Sequence, residues 1–127
     1  MKRLKARILA SFLAALVLLL VSATPAFAAE SCNGFVIASG NTFTVCIEKI
    51  NNGYNARATH NSGPTYLVDF NLATNEGTYG DNGAFYISAG ETRTYFFAVG
   101  YKQWAQVLLY WRAGSPYFSP MFSPVAY

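Results

Sequence analysis

Residues that carry chemistry are scarce in this chain. It has one histidine and two cysteines, and only 12% of its 127 residues are charged. A single histidine excludes metal sites built from several histidines, and neither a Gly-x-Ser-x-Gly elbow nor a phosphate-binding glycine motif is present. A Ser-His-Asp triad would have to use His60, whose position beside Asn61-Ser62-Gly63 predicts a solvent-facing turn residue. We therefore expect no enzyme, no metal centre and no cofactor.

Basic residues are rare beyond the first seven positions. Four of the nine precede an apolar run of 14 residues, Ile8 to Val21, and Ala26-Phe27-Ala28 follows. This order is typical of a secretory signal peptide over residues 1–28, cut before Ala29; the alternative is an uncleaved N-terminal anchor. Residues 29–127 then carry five basic and six acidic side chains, a net charge of −1. We expect a secreted extracellular protein that binds no nucleic acid and keeps no stable membrane anchor.

The two cysteines, Cys32 and Cys46, are both in the part expected to be secreted. Oxidising surroundings favour a disulfide between them, the alternatives being free thiols or links between chains. A hairpin turning at Ser39-Gly40-Asn41 places the two residues opposite each other. The pattern predicts a structural disulfide that closes a loop of about 15 residues.

Helical signals are absent after residue 30, where short alternating runs are separated by turn residues. The Asn52-Gly53 pair predicts a type I′ hairpin turn. The pattern favours an all-β, antiparallel sandwich of about seven strands, with a small β-barrel as the alternative. The predicted strands cover residues 34–39, 42–50, 54–60, 66–72, 84–88, 92–99 and 105–111.

Two segments lack a strand pattern. Residues 75–83 form a glycine-rich loop whose Glu76 and Asp81 offer oxygen ligands for Ca²⁺ or simply accept local backbone hydrogen bonds. Residues 114–127 contain three prolines, which excludes a central strand. We expect this C-terminal segment to pack on the domain of residues 29–113, with an edge strand near Tyr117–Ser119.

Part of the chain resembles immunoglobulin-like modules of small secreted bacterial proteins, including those related to cell adhesion. The likeness rests on Ala-Arg-Ala-Thr-His-Asn-Ser-Gly from residue 56, Tyr-Leu-Val-Asp-Phe-Asn-Leu from residue 66 and the aromatic strand after Gly90-Glu91-Thr92. It covers about half the chain and does not account for the Cys32–Cys46 hairpin. The resemblance implies an immunoglobulin-like sandwich and carries no catalytic residues.

Aromatic residues are abundant, at 17% of the chain. Strand alternation turns some of them outward, and the Tyr101-Lys102-Gln103-Trp104 turn offers one more. The candidate binding surface consists of Tyr86, Phe96, Trp104, Leu108 and Tyr110. It is either exposed, as a site for an extracellular glycan or protein, or covered by the C-terminal segment. We expect a binding protein; the alternative is a secreted inhibitor or bacteriocin-like antagonist that presents the Ser39-Gly40-Asn41 hairpin.

Overall fold

The computed structural model describes residues 29–37, 40–112 and 119–127, and every regular element in them is a β-strand. The predicted signal peptide and Tyr117 lie outside these ranges. None of the described residues belongs to a helix long and apolar enough to cross a membrane. The strands are β1 (Ser31–Ile37), β2 (Asn41–Ile50), β3 (Gly53–Ser62), β4 (Tyr66–Thr74), β5 (Gly77–Gly80), β6 (Phe85–Ile87), β7 (Thr92–Phe97), β8 (Ala105–Arg112) and β9 (Met121–Phe122).

The strands form two antiparallel sheets. The first sheet has the order β1-β2-β3-β7, and the second has the order β5-β4-β8-β9, with β6 also paired to β4. The sheets pack face to face around one core, as in a sandwich. A barrel would need a single closed sheet, whereas each of these sheets ends in edge strands.

Period-two alternation places the core where the sequence predicts it. Along β2, β3 and β4, alternate apolar residues are buried and their neighbours are less so. The predicted inward residues of β8 are also fully buried. The most buried apolar residues are Phe43, Val45, Ile47, Tyr54, Ala56, Ala58, Val68, Phe70, Leu72, Ile87, Ala105, Val107 and Leu109.

The predicted disulfide is confirmed. Cys32 and Cys46 are direct partners in the β1–β2 ladder, with their Cα atoms 4.1 Å apart. Both side chains lie on the outer face of the first sheet, because their neighbours Asn33 and Val45 point inward. The bond ties the edge strand β1 to a strand at the centre of the core.

The β2–β3 turn is one residue earlier than predicted. Asn51 and Asn52 have positive φ angles of 51° and 58°, and Ile50 pairs with Gly53. Asparagine tolerates this backbone region better than most residues. Gly53 is needed for a different reason: a Cβ there would lie 2.3 Å from the carbonyl oxygen of Phe97.

The predicted count of seven strands is too low, partly because residues 75–83 are not simply a loop. β5 lies within this segment and pairs with the end of β4, while β6 pairs with its beginning. β5 and β6 both lie along the edge of β4 that faces away from β8. Neither strand pairs with Asp69 or Phe70, so a gap remains between β5 and β6 at these two residues, which we call the notch. Glycines at both ends of β5 hid the strand, since glycine weakens a strand pattern.

The C-terminal segment pairs with the edge of the second sheet. Met121 and Phe122 pair with β8, and Ala126 forms an isolated bridge with Ala105. Met121 is 2% exposed, so this segment contributes to the core. The Phe122 ring contacts Phe35 of β1, with ring centroids 5.2 Å apart, which closes one long side of the sandwich.

Candidate functional site

The outer faces of the two sheets differ in chemistry. Outward positions of the first sheet are mostly polar or charged, with Val36 and Phe96 as exposed apolar exceptions. The polar and charged positions include Thr44, Glu48, Asn55, Arg57, Thr59, Thr92 and Thr94. Outward positions of the second sheet include large apolar and aromatic residues, namely Leu67, Tyr86, Leu108 and Tyr110. We refer to these four residues as the aromatic face.

Strand register places the members of the aromatic face beside one another. Leu67 pairs with Tyr86, while Tyr110 pairs with Asp69 and Leu108 with Asn71. Tyr86 is 66% exposed, and Leu108 and Tyr110 are half-buried. Since direct and diagonal cross-strand neighbours lie within reach of long side chains, the face combines aromatic rings with a carboxyl and an amide group.

Two of the five predicted surface residues lie elsewhere. Phe96 is on β7 in the first sheet, paired with Asn55, and its ring lies over Gly53. Trp104 is half-buried in the β7–β8 connection, where the Asn75 side chain receives hydrogen bonds from the backbone. The predicted surface is therefore not continuous: Tyr86, Leu108 and Tyr110 share the second sheet, Phe96 lies on the first sheet, and Trp104 lies in a connection.

A pair of carboxyl groups adjoins the aromatic face. Asp81, which follows β5, comes within hydrogen-bonding reach of Asp69 across the notch. Burial, together with the nearby Asp81 carboxyl, raises the pKa of Asp69 to about 6. One carboxyl oxygen of Asp69 is buried without a hydrogen-bond partner among the described residues. In Asp81, the carboxyl oxygen Oδ1 accepts a hydrogen bond from the backbone N–H of Gly83.

A pocket of about 310 Å³ opens on the side of the sandwich opposite β9. The segment from Asp81 to Phe85 forms one wall, and β7 forms the other through Arg93, Thr94 and Tyr95. Phe70 and Phe85 form an apolar base, with ring centroids 5.4 Å apart. Arg93 forms an ion pair with Glu91 at 3.2 Å. Hydrogen bonds from Ser88 lower the pKa of the Glu91 carboxyl, and Arg93 lowers it further.

His60 is a buried core residue, so the prediction of a solvent-facing position is wrong. Its ring is 0% exposed and stacks on Phe43 with centroids 4.2 Å apart. Its ring nitrogens lie 3.2 Å from the Thr42 carbonyl and 2.6 Å from the Pro64 carbonyl. Both nitrogens thus face backbone acceptors. The turn-like sequence after His60 concealed that β3 continues to Ser62.

The carboxylates considered for Ca²⁺ are far apart. Glu76 lies in the β4–β5 turn and pairs with Lys102, raising the pKa of that lysine. Asp81 follows the other end of β5. Because a strand of four residues is about 13 Å long, β5 separates Asp81 from Glu76 by about that distance. Among the described residues, the cluster of potential metal ligands consists of Glu30, Cys32 and Cys46, and its two sulfur atoms are joined in the disulfide.

Comparisons of the chain with protein-family models, with curated proteins and with solved structures find no match. The functional argument therefore rests on the surfaces and groups just described.

Proposed function

We propose that this is a small secreted, non-enzymatic protein that binds cell-surface glycan through the aromatic face. The contrast between the two outer faces carries the proposal. A polar outer face, as on the first sheet, is what an antiparallel sheet ordinarily turns toward water. Large side chains grouped on the other face favour a binding role, since contiguous exposed apolar patches mark interaction sites.

The groups on this face suit a sugar. A tyrosine ring offers a flat apolar surface for the C–H groups of a pyranose, while its hydroxyl group hydrogen-bonds. Asp69 and Asn71 lie beside Tyr110 and Leu108 and supply acceptors and donors for sugar hydroxyl groups. A protein surface is the second occupant that such a face accommodates.

Secretion and module type belong to the same proposal. The disulfide is compatible with an oxidising extracellular setting, which agrees with a signal peptide over residues 1–28. Two antiparallel sheets with an aromatic core are compatible with an immunoglobulin-like module of the cell-adhesion-related type. The burial of His60 between two carbonyl groups supports a non-enzymatic role, because this ring has no free nitrogen for general base catalysis.

The test is a pull-down of the purified protein with insoluble cell-wall polysaccharide, quantified over a range of protein concentrations. We expect Tyr86→Ala and Tyr110→Ala each to weaken retention by roughly tenfold, the effect of losing about 1.4 kcal/mol of stacking and hydrogen bonding. Tyr101→Ala is the matched control, because Tyr101 is a 53% exposed tyrosine in the β7–β8 connection rather than on the aromatic face.

Equal retention of all three variants, or no retention of the unmodified protein, would reject glycan binding by this face. Inhibition of a protease or killing of neighbouring cells by a protein that binds no polysaccharide would favour the inhibitor or antagonist instead. In that case the hairpin around Gly40, an exposed residue with a positive φ angle, is the segment to vary.

A further inference from the structure

β7 is a six-residue edge strand whose outward backbone groups have no hydrogen-bond partner among the described residues. Thr59 and Thr92 form a pair without mutual backbone hydrogen bonds, since the His60 amide bonds to the Glu91 carbonyl; the two threonines are joined only through their side-chain hydroxyl groups, at 2.9 Å. Alternation along an antiparallel ladder then turns the N–H and C=O groups of Thr92, Thr94 and Phe96 away from β3. All three residues are exposed.

The other edges are shorter or have neighbours. β5 has four residues and β9 has two. β1 is the opposite edge of the first sheet, and the Asn33 side chain there bonds to the Phe122 carbonyl at 3.0 Å. An unpaired edge of six residues is a template for another strand, and β7 is the edge that has both this length and a pocket alongside.

We propose that β7 pairs antiparallel with β7 of a second copy of this chain, about a two-fold axis at Thr94. In this register Thr94 faces the second copy's Thr94, and Thr92 faces its Phe96. The free backbone groups then satisfy one another. The interface is self-complementary, as a two-fold dimer requires.

Charge complementarity favours a second copy as the occupant. β7 turns Arg93, Tyr95 and Phe97 inward, because their partners on β3 are the buried residues Ala58, Ala56 and Tyr54. An inward-pointing charge ordinarily protects an edge from pairing. Here the added strand places its arginine opposite Tyr95, beside the pocket that is lined by Asp81 and by the first copy's own Arg93. That Arg93 is paired with Glu91, which leaves the Asp81 carboxyl and the Tyr95 ring to meet the incoming guanidinium.

Such a dimer presents two aromatic faces, so a repeating ligand would be held at two points. Its existence does not depend on the proposed function, because the contact uses β7 of the first sheet and the adjoining pocket rather than the aromatic face. A single pair of edge strands buries less area than a standard interface, and we therefore expect concentration-dependent association.

Sedimentation equilibrium of the purified protein, expressed from the full chain, tests the pairing. We expect the average mass to rise from one copy toward two between about 5 µM and about 500 µM. Thr94→Pro removes a donor that β3 does not use, and proline is tolerated on edge strands. It should weaken association by at least about tenfold, through the two inter-chain bonds lost. Thr94→Val keeps the backbone donor and should associate as before.

Cross-linking tests the register. In a hydrogen-bonded antiparallel pair the two Cα atoms are about 5.5 Å apart, which suits a disulfide. Thr94→Cys should therefore form linked dimers under mild oxidation at least about tenfold faster than Thr78→Cys, an exposed control on β5. A monomer at every concentration, unchanged association of Thr94→Pro, or equal linking of the two cysteine variants would each overturn the proposal.

Discussion

At the scale of single residues, backbone contacts determine which side chains the turns accept. The sequence pair Asn52-Gly53 predicts a turn with glycine at its second position. In the structure the asparagines occupy the turn, and Gly53 begins β3 under the ring of Phe96. The Asn-Gly motif predicts that a turn is present. Which two residues occupy the turn depends on the contact of Gly53 with β7.

Gly53→Ala should therefore be strongly destabilising. Its Cβ would meet the Phe97 carbonyl oxygen at 2.3 Å and the Phe96 ring at 2.7 Å. We expect the free energy of unfolding to fall by about 1–3 kcal/mol, the usual cost of overpacking, as measured by urea denaturation. Gly34→Ala is the matched control in β1, where a Cβ meets nothing within 4 Å. A loss of similar size in both variants would contradict this explanation.

The carboxyl pair makes a pH-dependent contribution. The folded pKa of Asp69, about 6, lies above its ordinary value of 3.8, so the folded chain binds more protons than the unfolded chain between these values. This contribution to stability is complete below about pH 3.8 and is lost as the pH rises through about 6. Solvent screening limits it to on the order of 1 kcal/mol.

The measurement compares the free energy of unfolding of the unmodified protein and Asp69→Asn at about pH 4 and about pH 7. We expect the unmodified protein to lose stability relative to the variant as the pH rises. Carboxyl groups outside the pair, including Glu91 with its lowered pKa, contribute equally to both proteins and cancel in the difference, so the difference reports the Asp69–Asp81 pair. A difference that is constant with pH would show that Asp69 does not titrate in this range.

At the scale of elements, β1 depends on its covalent tie. Only alternate β1 residues face the core, and Val36 is 74% exposed. The disulfide joins this strand to Cys46, which is 1% exposed. The bond thus compensates for the small apolar area that β1 buries.

Replacing both Cys32 and Cys46 by alanine should lower the free energy of unfolding by about 3 kcal/mol, the value for a loop of about 15 residues. Hydrogen exchange should increase first at β1 amides, with β8 amides following only through global unfolding. A loss below about 1 kcal/mol, or equal acceleration in β1 and β8, would show that β1 is held without the disulfide.

The sequence predicted elements with strong alternation and missed those defined by their neighbours. β2, β3, β4 and β8 carry period-two apolar patterns and were placed within a few residues. β5 and β9 are short, contain glycine or lie among prolines, and form because a β4 or β8 edge is available. The same limit applies to the candidate site: Tyr86, Leu108 and Tyr110 share a face as expected, but only strand order could show that Phe96 belongs to the other sheet.

At the scale of the whole molecule, the two long sides of the sandwich differ. One side is closed where β9 lies against β8 and β1. The other contains the pocket between β7 and the segment after β5. On the closed side, Ser123 is fully buried and bonds to the Val107 amide through its hydroxyl oxygen at 2.9 Å.

Truncation of the chain after residue 118 should be severely destabilising. It removes the buried Met121 side chain, worth about 2–5 kcal/mol on its own, and leaves the β8 edge unpaired. We expect a less cooperative thermal transition at a lower temperature. Tyr127→Ala is the control, since Tyr127 is 82% exposed, and it should change stability by no more than about 0.5 kcal/mol. A truncated chain that unfolds like the full chain would contradict a structural role for this segment.

The closed side also has a kinetic consequence. The contact between Asn33 and Phe122 joins residues 89 positions apart, and bringing such distant segments together has a large loop-closure entropy. Domains dominated by these contacts fold in milliseconds to seconds. The pairing of β9 with β8 and its contact with β1 require residues 121 and 122 to have been synthesised, so we expect the core to be incomplete until that part of the chain has emerged.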